Sequence, residues 1–349
     1  MARGWNGDAE VALPPVIVHA VRDHGERGLR SQEAREERLR WAEALLRLPL
    51  VWRETRGEGI RVAILDTGID SDHPDLEGAV VAARDFTGEG IEDRNGHGTH
   101  CAGIVAARAN GVGFIGAAPK CELVVAKVLD GEGRGKLSQV VAGIDWAVEV
   151  GADILSLSLA AEADDRELHR SVHAALAAGK IVICAAGNAG ALGTNTIGYP
   201  GRYGSVLTVA AHDAMGHPSG FSSRGPEIDF MAPGQQVWST WKEGGWAQLS
   251  GTSMAAPFVA GLAALVLAKH RKAGRHASPI HDNQDLKEHL LRMAAHPGWH
   301  DPARGHGPLL PFAYFLGDAR PLGAVRATGR RRGRSAPSLE RGANRRRAG

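Results

Sequence analysis

The sequence predicts an α/β fold built on a parallel sheet covered by helices on both faces. Three observations carry that expectation. Short continuous apolar runs, such as Val62-Ala63-Ile64-Leu65 and Ile181-Val182-Ile183-Cys184, are the kind that strands buried on two sides require. They alternate along the chain with stretches of helical periodicity, the pattern of βα units and not of hairpins. The 46 glycines, the abundant alanine and the 5% of aromatic residues suit close packing of helix on sheet.

Residues 1–30 carry no clear periodicity. From 31 to 48 a helix is expected, with Ser31 as cap, Glu33 in the first turn and Leu39, Trp41, Ala42, Leu45 and Leu46 on one face. Residues 59–66 form a buried strand that ends in an acid, Asp66, and Thr67-Gly68 turns the chain. A helix follows the glycine-flanked His97 as far as Ala107. Next come a strand over 123–129, a helix over 138–150 with Val141, Ile144, Ala147 and Val148 facing inward, a strand over 153–159, a helix over 166–178, a strand over 180–186 running into Gly187-Asn188, and a strand over 205–211. The small residues Gly251-Thr252-Ser253-Met254-Ala255-Ala256 lead into Pro257 and an apolar run from Phe258 to Leu267. That run suits a buried helix and is too short to span a bilayer. Pro257 is expected in its first turn, where a missing N–H costs nothing. A short helix over 285–294 and a turn-rich stretch over 304–311 close the pattern.

With 43% hydrophobic residues, a chain of 349 residues can bury a large core. Its net charge of +2 hides an asymmetry. Residues 319–349 hold ten arginines and one glutamate, +9, so the remainder carries 2 − 9 = −7. The arginine tail without interleaved aromatics reads as disordered and solvated, with phosphate-charge binding of nucleic acid the alternative. Three cysteines, Cys101, Cys121 and Cys184, form no disulfide framework. The first ten residues lack the apolar core of a signal peptide, and no stretch reads as membrane-spanning; a cytoplasmic protein is expected, with secretion left open.

Three stretches carry chemistry. Asp66 lies at a strand's carboxyl end, where open α/β sheets gather their ligand sites. Glycines on both sides of His97 leave room for a substrate backbone, and His100, three residues on, reads as a buried structural histidine in preference to a metal ligand. Ser253 opens a helix, where unpaired N–H groups and the helix dipole stabilise negative charge; taken alone it could be only an N-cap. In the order Asp66, His97, Ser253 these are the parts of a nucleophilic triad: imidazole takes the serine proton, and a carboxylate holds the imidazole's tautomer. Asn188 can donate a side-chain N–H to the oxyanion.

The motifs Ile64-Leu65-Asp66-Thr67-Gly68, Asn95-Gly96-His97-Gly98-Thr99-His100-Cys101-Ala102-Gly103 and Gly251-Thr252-Ser253-Met254-Ala255-Ala256-Pro257, with Ala185-Ala186-Gly187-Asn188, resemble those of the subtilisin-like serine proteases. The likeness covers roughly residues 50–316. It implies a three-layer α/β/α sandwich with a mostly parallel sheet, and peptide-bond hydrolysis through an acyl-enzyme. It also implies two substrate edges, Gly133-Arg134-Gly135 and Ser158-Leu159-Ala160, that hold an extended peptide by β-augmentation. Gly198 matches the floor of the pocket for the residue before the scissile bond, and Ala160, where the family has glycine, narrows its rim. Asp75 and Asn110 match ligands of a structural calcium ion; no cofactor is implied for the chemistry. The chain then divides into an N-terminal extension (1–50), partly helical and a candidate short propeptide, a peptidase domain (51–318) and the tail (319–349). The layout is closest to intracellular subtilases, with protein or peptide substrates, no membrane partner and no indication of oligomeric state.

Other readings exist. Asp66-Thr67-Gly68 is also the aspartic-protease triplet, but only one copy is present and the α/β pattern is wrong for that class. An α/β-hydrolase needs a Gly-x-Ser-x-Gly elbow, which Ser253 lacks. A catalytically inactive subtilase used as a binding scaffold is the non-enzymatic alternative.

Overall fold

The computed structural model describes residues 9–22, 41–274 and 280–316. Along the chain run β1 (Glu10–Ala12), β2 (Ile17–Arg22), α1 (Trp41–Leu45), α2 (Leu48–Val51), β3 (Arg61–Asp66), β4 (Val80–Asp85), α3 (His97–Ala106), β5 (Glu122–Lys127), β6 (Arg134–Lys136), α4 (Leu137–Glu149), β7 (Ile154–Leu157), α5 (Arg166–Ala177), β8 (Ile181–Ala185), β9 (Leu207–His212), β10 (Ile228–Pro233), β11 (Val237–Thr240), β12 (Trp246–Ser250), α6 (Thr252–Ala273), α7 (Asn283–Leu291) and α8 (Pro311–Leu316).

Seven strands form one sheet in the order β10-β9-β8-β7-β3-β5-β4, and every neighbouring pair is parallel. Alternate residues of each strand feed opposite faces, as the strand period of two requires. Val62 and Ile64 of β3, with Ile181 and Ile183 of β8, pack into the core that holds α3 and α6. Ala63 and Leu65, with Val182 and Cys184, pack into the second core under α4 and α5. The sheet is therefore the middle of three layers, as expected.

Apart from the first helix and α6, the predicted elements recur with ends shifted by at most three residues. Local chemistry fixes several of those ends. Asp165 caps α5 by accepting from the Glu167 and Leu168 N–H groups, and Asp282 caps α7 through the Asp285 N–H. Three expectations need correction. The helix expected over 31–48 breaks at Arg47, whose left-handed backbone (φ 52°) separates α1 from α2; its first residues, 31–40, lie outside the described part. Val141 and Val148 of α4 are only half-buried, and Leu137, Val140, Ile144 and Trp146 take the inner face with Ala147. The patternless start of the chain contains two strands, β1 and β2. The tail lies outside the described residues.

α6 is the central helix. At 22 residues it is long and apolar enough to cross a membrane, but its apolar window is 94% buried inside the fold. A helix that is hydrophobic all round belongs in a core. It begins at Thr252, six residues before the apolar run that starts at Phe258.

Candidate active site

β3 delivers Asp66 at its last residue, α3 delivers His97 at its first, and α6 delivers Ser253 at its second. Gly98 lets the first two meet, because a Cβ there would stand 2.3 Å from the Gly68 carbonyl oxygen. Gly96 faces the Trp241 ring just as closely. The glycines flanking His97 thus allow close packing within the fold.

Asp66 Oδ1 accepts from His97 Nδ1 at 2.8 Å and from the Thr67 N–H at 2.8 Å. Both side chains are 1% exposed. Burial pushes the His97 pKa down, but the adjacent Asp66 carboxylate and, after it, Cys101 together more than offset it, and the balance lies well above the ordinary histidine value. The Cys101 thiol, one turn along α3, lies 3.8 Å from His97 Nδ1, and burial raises its pKa. Asp66, His97 and Cys101 offer ligand atoms within 4.8 Å of one another, close enough for one thiophilic ion. His100 is a structural histidine, as expected: its Nε2 lies 3.2 and 3.1 Å from the Val237 and Ala247 carbonyls.

Ser253 Oγ donates to the Ser158 carbonyl at 3.3 Å, while His97 Nε2 is buried with no hydrogen-bond partner among the described residues. The early start of α6 makes Pro257 its sixth residue, beyond the first turn. That proline cannot donate to the carbonyl four residues back, which is that of Ser253. The freed oxygen accepts instead from Ser158 Oγ at 3.0 Å and from the Cys101 thiol at 3.4 Å. Pro257 therefore opens the helix ladder at the Ser253 turn and ties it to the sheet and to α3. Asn188, after β8, is oriented from the α6 side: its Oδ1 accepts from the Thr252 N–H and hydroxyl at 2.9 and 3.0 Å, which leaves its amide N–H groups to point away.

The two segments expected to be substrate edges are paired with residues 10–13 of the chain itself. β1 pairs antiparallel with β6, matching Val11 with Gly135 and Ala12 with Arg134. The Leu13 N–H donates to the Gly133 carbonyl at 2.9 Å, and Ala12 exchanges two hydrogen bonds with Ala160 at 3.3 and 3.0 Å. Pro15 then presents its carbonyl to Asn188 Nδ2 at 2.8 Å. Beyond it, β2 pairs antiparallel with β12, and His19 Nε2 lies 2.7 Å from the Ser250 hydroxyl. Ser253 and His97 are fully buried in this arrangement. Leu159 is buried in the same apolar cluster as Val11 of β1, with Leu13 packed against it. A Cβ on Gly198 would come within 2.7 Å of the Ala160 methyl, so these two residues face each other as the sequence suggested.

Asp75 is buried in a short turn. Its Oδ2 accepts from Trp246 Nε1 at 2.9 Å and the Phe114 N–H at 3.1 Å, its Oδ1 has no partner among the described residues, and burial raises its pKa. Asn110 reaches the same turn, donating to the Pro74 carbonyl at 3.0 Å, but the Val112 N–H engages its amide oxygen. One orphaned carboxylate oxygen is a suitable hard ligand; the rest of a calcium shell would require Asn110 to turn.

Sequence reading missed the proline-broken helix ladder and the strand in the cleft. The only signal for the latter was Pro14-Pro15, two consecutive residues without N–H groups in an extended apolar stretch.

The chain matches the subtilase family over residues 57–319. It is 44% identical over 230 residues to an intracellular serine protease of Paenibacillus polymyxa, covering 64% of this chain and 71% of that protein. It is 45% identical over 218 residues to subtilisin DY of Bacillus licheniformis, covering 62% and 79%. With thermitase of Thermoactinomyces vulgaris the identity is 40% over 243 residues, covering 69% and 86%.

Proposed function

The chain belongs to the subtilase family and is a serine endopeptidase of the subtilisin type, and from that premise we propose that Asp66, His97 and Ser253 form its triad, that Asn188 is its oxyanion donor, and that residues 10–22 hold the enzyme latent. The single observation that supports this best is the Pro15 carbonyl donated upon by Asn188: a backbone carbonyl sits at the oxyanion donor in a strand that pairs with Gly133, Gly135 and Ala160 as a substrate strand would.

In the reaction a substrate strand replaces β1. His97 takes the Ser253 proton through Nε2, which requires Ser253 Oγ to leave its bond to the Ser158 carbonyl. Asp66 holds the Nδ1–H and stabilises the imidazolium. Asn188 then donates to the oxyanion, and His97 returns the proton to the leaving amine. The resident strand resists this because Pro14 and Pro15 lack N–H donors and interrupt the ladder between Leu13 and Ile17. Gly198 and Ala160 bound the pocket for the residue preceding the scissile bond, with large apolar residues as the preferred class. A Ca²⁺ ion on Asp75 and Asn110, with neighbouring backbone carbonyls, is structural; it would neutralise the buried carboxylate. Because the Paenibacillus relative is an intracellular serine protease, a cytoplasmic location is proposed.

The test is mass spectrometry of the purified protein beside its Ser253→Ala form during peptide hydrolysis. Hydrolysis and loss of the N-terminal strand are expected only with Ser253. Hydrolysis by Ser253→Ala would refute the assignment.

A further inference from the structure

The pairing of Asp66 with His97 joins the end of a strand to the start of a helix, two elements that no covalent link keeps in register. One carboxylate bridges them. Asp93 is 1% exposed and accepts five hydrogen bonds. Its Oδ1 takes the Thr67 hydroxyl at 2.8 Å, the Asn95 N–H at 3.1 Å and the Gly96 N–H at 2.8 Å. Its Oδ2 takes the Thr99 N–H at 2.8 Å and the Thr99 hydroxyl at 2.7 Å. Gly96 and Thr99 flank the first turn of α3, which carries His97. Thr67 is the residue after Asp66. An anion at a helix N-terminus, saturated by donors, is a strong and directional contact.

Thr67 is the node of this brace. Its N–H donates to Asp66 Oδ1, its hydroxyl donates to Asp93 and accepts from the Gly98 N–H at 2.9 Å, and its carbonyl accepts from Lys127 Nζ at 2.9 Å. Lys127 is fully buried at the end of β5. Its ammonium also donates to the Glu92 carbonyl at 3.0 Å and lies 3.3 Å from Glu89 Oε2. The buried cation pins the Asp66 turn from one side, and the buried anion ties that turn to α3 from the other. Burying a charge is costly unless it is hydrogen-bonded, and a fully satisfied buried network is rigid.

We propose that Asp93 is a positioning residue for catalysis, acting through Thr67 and the first turn of α3 to hold Asp66 Oδ1 at bonding distance from His97 Nδ1, with Lys127 as the opposing anchor. The proposal rests on the triad reading above. Asp93→Asn is close in shape, but its amide nitrogen, in either orientation, faces N–H donors. It loosens the clamp without emptying the site.

The experiment measures kcat and KM of the full-length protein on a soluble peptide, with kcat expressed per active site labelled to completion by a fluorophosphonate. For Asp93→Asn, kcat per labelled site should fall about 10²-fold with KM within about twofold, because misplacement of a catalytic pair costs rate and not ground-state binding. Thr67→Val should fall about 10-fold, and Thr67→Ser, which keeps the hydroxyl, should recover most of the loss. If Asp93 only supports folding, fewer sites will label but each will turn over at the wild-type rate, which overturns the proposal. Equal impairment of Thr67→Ser and Thr67→Val overturns it also and does not require Asp93→Asn to fold. His97→Ala separates the two readings. If it retains full activity, the triad assignment fails; if it is inactive while Asp93→Asn is fully active, only the brace fails.

Discussion

Two segments approach Ser253 from opposite sides, and they are held in opposite ways. α6 is buried from Thr252 to Ala268, and its side chains fill the core against the sheet. The N-terminal segment of β1 and β2 runs past Asn188 and Ser250, close to the same serine in sequence, but is held chiefly by backbone bonds to β6, Ala160 and β12. Val11 and Pro14 are buried, whereas Ile17, Val18 and Val21 are about half exposed at 50%, 51% and 49%. Burial of apolar surface is worth about 25 cal/mol per Å², so a core helix is fixed while an edge strand with outward side chains is separable. Ser253 thus sits on a helix buried along most of its length, while the segment that runs past it keeps several apolar side chains exposed.

Breaking the fixed side should have the largest effect. Ser253→Ala removes the nucleophile, and kcat should fall about 10⁶-fold while the protein stays folded, checked by kinetics beside circular dichroism. Asn188 touches both segments. Asn188→Ala should lower kcat about 10²–10³-fold with little change in KM, because the oxyanion exists only in the transition state and the tetrahedral intermediate. The same variant loses its bond to Pro15, so its cover should also be weaker. A strong rise in KM with kcat unchanged would make Asn188 a binding residue and leave the oxyanion unassigned.

The pH profile tests the base. His97 works only when neutral, and its pKa is raised, so the neutral fraction and kcat/KM should climb with pH beyond the ordinary value of 6.5. Asp66→Asn removes the main upward influence; the acid limb should move to lower pH while kcat drops. A rate flat from about pH 5 to 9 would exclude a histidine base. A smaller effect is expected of calcium. Chelation should lower the melting temperature by roughly 5–10 °C and excess Ca²⁺ restore it, since a ligand bound only to the folded state stabilises by mass action. Asp75→Ala should abolish that response. Smallest of all, Ile17→Ala on the exposed strand should change stability by less than about 0.5 kcal/mol, where Leu265→Ala inside α6 should cost about 2–5 kcal/mol in denaturant titrations.

The division between fixed and separable parts also marks what the sequence revealed. β3, β8, α4 and α5 are legible because their own residues carry the period, and Asp66, His97 and Ser253 sit in dense small-residue motifs. β1 is only Glu10-Val11-Ala12, and nothing in three residues announces that their partners are Lys136, Gly135 and Arg134; its structure is a property of the edge it docks on. Pro257 was misplaced because apolarity, the sequence signal, begins at Phe258, while the helix begins where Thr252 meets Asn188. Lys127 lies inside the strand expected over 123–129 with nothing in the sequence to mark its role, yet its ammonium is buried against two carbonyls. Asp93 precedes its helix by four residues, outside the usual cap spacing, so its role emerges only when Thr67 is brought alongside.

The central claim, that the enzyme's own strand closes its cleft, is tested most directly by the rate at which a fluorophosphonate labels Ser253 in the full-length protein and in Val11→Asp. Val11 is 1% exposed and is the main apolar anchor of β1. Losing its burial, worth about 1.5–3 kcal/mol, should shift the strand toward release, and labelling should accelerate about 10-fold or more, with no label on Ser253→Ala. Equal labelling rates for the two proteins, both folded, would contradict the account.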